Sequence, residues 1–76
     1  MSSLLSQAIL ADRYGLRLTM EQLAEVLTMA KTTIYNQISA GTFPVKTYVD
    51  GAKRFADYRD VAAYLDECRE RATTPV

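Results

Sequence analysis

Residues 18–41 read LTMEQLAEVLTMAKTTIYNQISAG, and the local chemistry of this stretch decides the fold. Thr19 followed three residues later by Gln22 is a capping box, and Leu18 and Leu23 occupy the two positions of a hydrophobic staple. The helix started there is predicted over residues 20–27. It would bury Leu23, Ala24 and Leu27 and leave Glu21, Gln22 and Glu25 toward water. Residues 28–30 form a short break before a second helix over residues 31–40, in which Ile34 and Ile38, four apart, define the core face. Lys31, Thr32, Thr33, Asn36 and Gln37 are then left facing out, and Gly41 supplies a left-handed cap.

Upstream, residues 4–14 read as a helix capped by Ser3, with Leu4, Leu5, Ala8, Ile9 and Ala11 as a wide apolar stripe and Gly15 as its left-handed end. Downstream, Phe43-Pro44 prevents continuation of the helix and the period changes to two. Val45 to Val49 alternates as a strand, Asp50-Gly51 is a hairpin signal, and Ala52 to Phe55 returns. A two-residue turn at Asp50-Gly51 would pair Lys46 with Phe55 and mix a charge with an aromatic ring on one face. A three-residue loop, Val49-Asp50-Gly51, pairs Val45 with Phe55 and Lys46 with Arg54, and is the preferred register. It sends Val45, Thr47 and Phe55 inward and exposes Lys46 and Arg54 together. A final helix starts at an Asp57 cap and runs to about Arg71, burying Val61, Leu65 and Cys68. Residues 71–76, with Pro75, read as a frayed tail. The expectation is a single domain over residues 1–76, mainly α with a small β-hairpin.

Composition removes most other function classes. The 76 residues carry nine basic and nine acidic side chains, no histidine and one cysteine. A chain of this length buries only about 60% of its unfolded surface, which leaves little structure in which to build a deep catalytic pocket. Without histidine the commonest general acid/base and metal ligand is missing. Cys68 cannot form an internal disulfide or a zinc cluster, which suits a reducing compartment. No run of about 18 apolar residues occurs and the first residues lack a basic n-region, so no membrane partner and a cytoplasmic location are expected. No phosphate loop or nucleophile motif is present, so the expectation is no enzyme, no cofactor and no metal. Asp57, Asp60, Asp66, Glu67 and Glu70 alternate with Arg59, Arg69 and Arg71 as on a solvated, salt-paired helix face. Tyr14, Tyr58 and Tyr64 are expected to pack at the core or its rim.

Two short helices joined by a tight turn, the second outlined by Lys, Thr, Asn and Gln, form the pattern of a helix-turn-helix whose second member reads the major groove. Lys31 can neutralise phosphate or reach guanine, and Asn36 or Gln37 can make paired hydrogen bonds to adenine. Thr32 and Thr33 can donate to phosphate or touch a thymine methyl. Tyr35 is either a packing residue or a phosphate donor. The hairpin places Lys46, Lys53 and Arg54 where a wing would lie along the backbone or insert an arginine into a narrow minor groove. Charge is distributed accordingly: residues 28–54 hold Lys31, Lys46, Lys53 and Arg54 against Asp50, four cations to one carboxylate, net +3, while the chain as a whole is neutral.

From Leu18 to Leu65 the chain resembles the excisionase and AlpA-type winged-helix group, a relative of the MerR DNA-binding domain. The resemblance is carried by LTMEQLAEVL, KTTIYNQISAG, FPVKTYVDG with KRF, and DYRDVAAYL, in that order. It departs from the family pattern at Thr28 and Ala30, where glycine and serine are usual, and in a wing about one residue longer. The resemblance implies a winged helix-turn-helix fold. It also implies a small protein of a prophage or other mobile element that binds duplex DNA and either directs excision or regulates transcription. The weak overall charge implies help from a homodimer, from cooperative neighbours on DNA, or from an integrase or RNA polymerase. The alternative is a protein–protein module on the same fold, docking onto an integrase, a polymerase or a host factor. The apolar first helix, upstream of the region of resemblance, motivates it.

Overall fold

Thr19 ends a strand and starts a helix, and its own atoms perform both tasks. The computed structural model describes residues 4–73 as α1 (Leu4–Tyr14), β1 (Arg17–Thr19), α2 (Met20–Leu27), α3 (Lys31–Ala40), β2 (Thr47–Asp50), β3 (Lys53–Asp57) and α4 (Tyr58–Thr73). The chain is mainly helical with one small antiparallel sheet. At the start of α2, Thr19 Oγ1 accepts from Gln22 N at 3.2 Å, and Thr19 N donates to Gln22 Oε1 at 3.0 Å. Both staple residues, Leu18 and Leu23, are fully buried. The expected bounds of the first three helices agree with the structure. The last helix runs to Thr73, two residues beyond the expected end, so Arg71 to Thr73 are helical and not frayed. The Ser3 cap and the remainder of the expected tail, 74–76, lie outside the described residues.

α2 and α3 end on the same pair of backbone bonds. Thr28 N and Met29 N donate to Glu25 O and Ala24 O at 3.3 and 3.0 Å. Gly41 N and Thr42 N donate to Ile38 O and Gln37 O at 3.1 and 2.9 Å. The left-handed residue is Gly41 (φ 73°) in one case and the β-branched Thr28 (φ 56°) in the other. A threonine held there stores about 1–3 kcal/mol that glycine would not. Immediately after it, Ala30 caps α3 with no side-chain hydrogen bond. Thr28→Gly and Ala30→Ser are therefore each expected to raise stability by about 1 kcal/mol, as higher urea midpoints at unchanged m-value. A lowered midpoint for either would contradict this account of the turn.

The sheet has the order β1-β3-β2, so β3 is bonded on both sides. β1 pairs Arg17, Leu18 and Thr19 with Asp57, Ala56 and Phe55. β2 pairs Thr47, Tyr48, Val49 and Asp50 with Ala56, Phe55, Arg54 and Lys53. This corrects the expected hairpin. Lys46 does not face Arg54 and Val45 does not face Phe55; both Lys46 and Val45 precede the paired residues. The turn is Gly51-Ala52, with Gly51 at φ 67° and Ala52 not left-handed, the backbone of a II′ turn. Glycine thus takes the first turn position, where the Asp50-Gly51 reading placed it second or third. β1, which the sequence reading lacked, accounts for the rest. It sets Leu18 beside the fully buried Ala56 on the core face, and alternation then sends Phe55 to the other face, where it is still buried as expected, under the Arg17 guanidinium.

The core comprises Leu10, Leu18, Met20, Leu23, Ile34, Val45, Ala56, Val61 and Ala62, with Tyr14, Tyr58 and Tyr64 packed at its rim as expected. Ala24, Leu27, Ile38, Leu65 and Cys68 are half-buried. Cys68 Sγ accepts from the Arg71 guanidinium at 3.3 Å. The apolar stripe of α1 is open to solvent at Leu4, Leu5 and Ile9, which are 82%, 69% and 56% exposed, and Leu10 is the buried residue. Gly15 and Leu16 connect α1 to β1. Ser6 Oγ, on the inner side, donates to Asp66 Oδ1 of α4 at 3.2 Å. At the start of α4, Asp57 Oδ1 accepts from Arg59 N at 2.8 Å, and its two oxygens accept from the Arg59 guanidinium at 3.0 Å each. That side-chain pairing holds the Asp57 carboxyl below its ordinary range.

Candidate functional site

With Ile34 fully buried and Ile38 half-buried, α3 turns its other side to solvent. Thr32, Tyr35, Asn36 and Ser39 follow one another at helical spacing and are all exposed. Lys31 sits at the edge of this stripe nearest the hairpin, and Thr33 at the opposite edge. Gln37 departs from expectation: its residue is half-buried beside the core face, and its main-chain oxygen accepts from Thr42 N at 2.9 Å. Ser39 was not among the expected contacts, although its spacing from Thr32, Tyr35 and Asn36 places it on the same stripe.

A groove of about 410 Å³ separates α3 from the hairpin. Thr19, Met20 and Glu21 form its floor at the start of α2. Lys31 and Tyr35 line the α3 side, and Val49, Ala52, Lys53 and Arg54 line the hairpin side. Three of the expected cations, Lys31, Lys53 and Arg54, are thereby brought to one cleft, while Lys46 is exposed outside it. Arg54 lies opposite Val49 on the core-side face of the hairpin and is fixed by donating to Thr47 Oγ1 at 3.0 Å. Tyr35, 41% exposed, is a wall of this groove and not part of the buried core. Glu21 Oε1 accepts from Lys31 Nζ at 3.3 Å. Val49 enters because of the observed register; with the expected three-residue loop it would belong to the turn.

The other face of the sheet carries a separate cluster. The Arg17 guanidinium lies 3.9 Å from the centre of the Phe55 ring and donates to Asp50 Oδ2 at 2.6 Å. Tyr48 stacks obliquely on Phe55 with ring centres 6.2 Å apart. Asp50, and after it Tyr48, hold the Arg17 guanidinium above its ordinary value. One consequence concerns the groove: the carboxylate at the tip of the hairpin is turned to the far face and neutralised there. Sequence reasoning did not connect Arg17 to this arrangement, because its pairing with Asp50 spans 33 residues.

Among the described residues no cluster of three or more Cys, Asp or Glu side chains is placed to hold a metal, and no helix is long and apolar enough to cross a membrane. No protein-family model, curated protein or solved structure matches the chain.

Proposed function

We propose that this chain is a winged helix-turn-helix protein that binds duplex DNA and carries out no chemistry on it. α2 and α3 form the helix-turn-helix, with α3 entering the major groove, and β2–β3 is the wing. The observation that carries the reading is the convergence of Lys31, Lys53 and Arg54 on one cleft beside the exposed polar stripe of α3. The stripe supplies Thr32, Asn36 and Ser39 for base edges, with Tyr35 at the groove wall. The cleft supplies point charges for the phosphates that flank them. By the resemblance of its sequence, its task is to direct excision of a mobile element or to regulate its transcription.

The test is a salt titration of binding to the DNA upstream of its own gene and to the attachment site of the element that encodes it. The affinity is expected to fall linearly on a double-logarithmic plot, with a slope no steeper than about −2.7 if three phosphates are neutralised. Absence of salt-dependent binding to any duplex would end this reading. A second reading, docking of a protein partner on the same fold, draws on the exposure of Leu4 and Ile9 on α1. It predicts that Ile9→Asp abolishes partner binding or self-association and leaves DNA affinity unchanged.

A further inference from the structure

Glu21 is the one carboxylate among the side chains lining the groove, and it faces the cation at the start of α3. Glu21 Oε1 and Lys31 Nζ are 3.3 Å apart, with the two side chains 80% and 48% exposed. An ion pair this open to solvent contributes little to folding. The cap and staple already start α2 without it. What the pair does change is the charge an incoming strand meets. Asp50, the other acid near the groove, is turned away and held by Arg17 at 2.6 Å. Among the lining side chains Glu21 is therefore the one acid beside Lys31, Arg54 and, at the turn opposite Asp50, Lys53.

We infer that Glu21 is an internal counter-ion which a DNA phosphate must displace from Lys31, so that this one carboxylate sets how tightly and how salt-dependently the groove binds. The inference rests on the duplex-DNA reading given above. A lysine that is free before binding neutralises a phosphate, and the counterion condensed there is released. A lysine that is paired must first give up its carboxylate. That carboxylate is left beside the strand and takes up a cation from solution. Release at the phosphate is then cancelled in part by uptake at Glu21, which makes the salt dependence shallower, and the broken pair subtracts from affinity. A domain with zero net charge would by this device bind unrelated DNA weakly although its groove is cationic.

The experiment compares the full chain with Glu21→Gln, Lys31→Gln and the double variant on one 20-base-pair duplex, from about 0.05 to 0.4 M salt. Glutamine keeps the shape of the side chain and removes the charge, and urea midpoints measured in parallel establish that each variant is folded. Glu21→Gln is expected to steepen the salt slope by up to about 0.9 and to raise affinity up to about eightfold near 0.1 M salt. In the Lys31→Gln background the same change is expected to leave the slope unaltered. If Glu21→Gln leaves the slope of the wild-type background unchanged, or steepens it equally without Lys31, the counter-ion role is overturned while the duplex-DNA reading stands. If the unsubstituted chain binds no duplex, both fall together.

Discussion

Leu23→Ala is expected to destabilise the domain by about 2–5 kcal/mol, read as a fall in the urea midpoint. Leu23 is fully buried, lies on the inner side of α2 and is the helix half of the staple with Leu18. Its truncation removes apolar area and leaves a void beneath the capping box at Thr19. A domain of this size has a total stability of roughly 4–11 kcal/mol, so the loss is a large fraction of the whole. Leu4→Ala, on the exposed face of α1, is expected to change stability by less than about 0.5 kcal/mol. A large, concentration-dependent loss at Leu4 would mean that this face is covered by a second copy of the chain.

The other large effect is on DNA. Lys53→Gln combined with Arg54→Gln removes two of the three cations lining the groove. Each phosphate contact contributes about 0.9 to the salt slope and about eightfold in affinity near 0.1 M salt, so the double variant is expected to flatten the slope by about two and weaken binding roughly 60-fold. Lys46→Gln is expected to do less, because Lys46 lies outside the groove and before the paired residues of β2. Equal losses at Lys46 and at the pair would show that the hairpin acts as a diffuse basic surface. Loss confined to Lys53 and Arg54 would support the cleft as the unit that holds the strand.

Features specified by neighbouring residues were legible. The box at Thr19 and Gln22, the cap at Asp57 and the left-handed Gly41 each depend on atoms within a few positions, and each stands where the sequence places it. Features decided over distance were not. β1 is three residues long, too short for alternation to declare it, and its partner lies about 40 residues away. Missing it also misplaced the hairpin register, because the pairing of Leu18 with Ala56 decides which side of β3 faces the core. The α1 stripe was legible as a face but not in its burial, because apolar periodicity does not say what covers that face. In the candidate site, the α3 stripe could be read from spacing, with Ser39 available by the same rule. The groove could not, since Val49 and Arg54 join it only through the observed register, and Glu21 only through the approach of α2 to α3.

Thr19 has one more consequence. It is the last residue of a strand bonded to β3 and the first fixed point of α2, so the hairpin and the helix pair share a single rigid bracket. No loop separates β1 from α2, so the strand bonded to β3 runs directly into the base of that helix. The backbone spacing between the base of α2 and the hairpin is therefore set when the chain folds, and binding is left to order only the side chains that line the cleft.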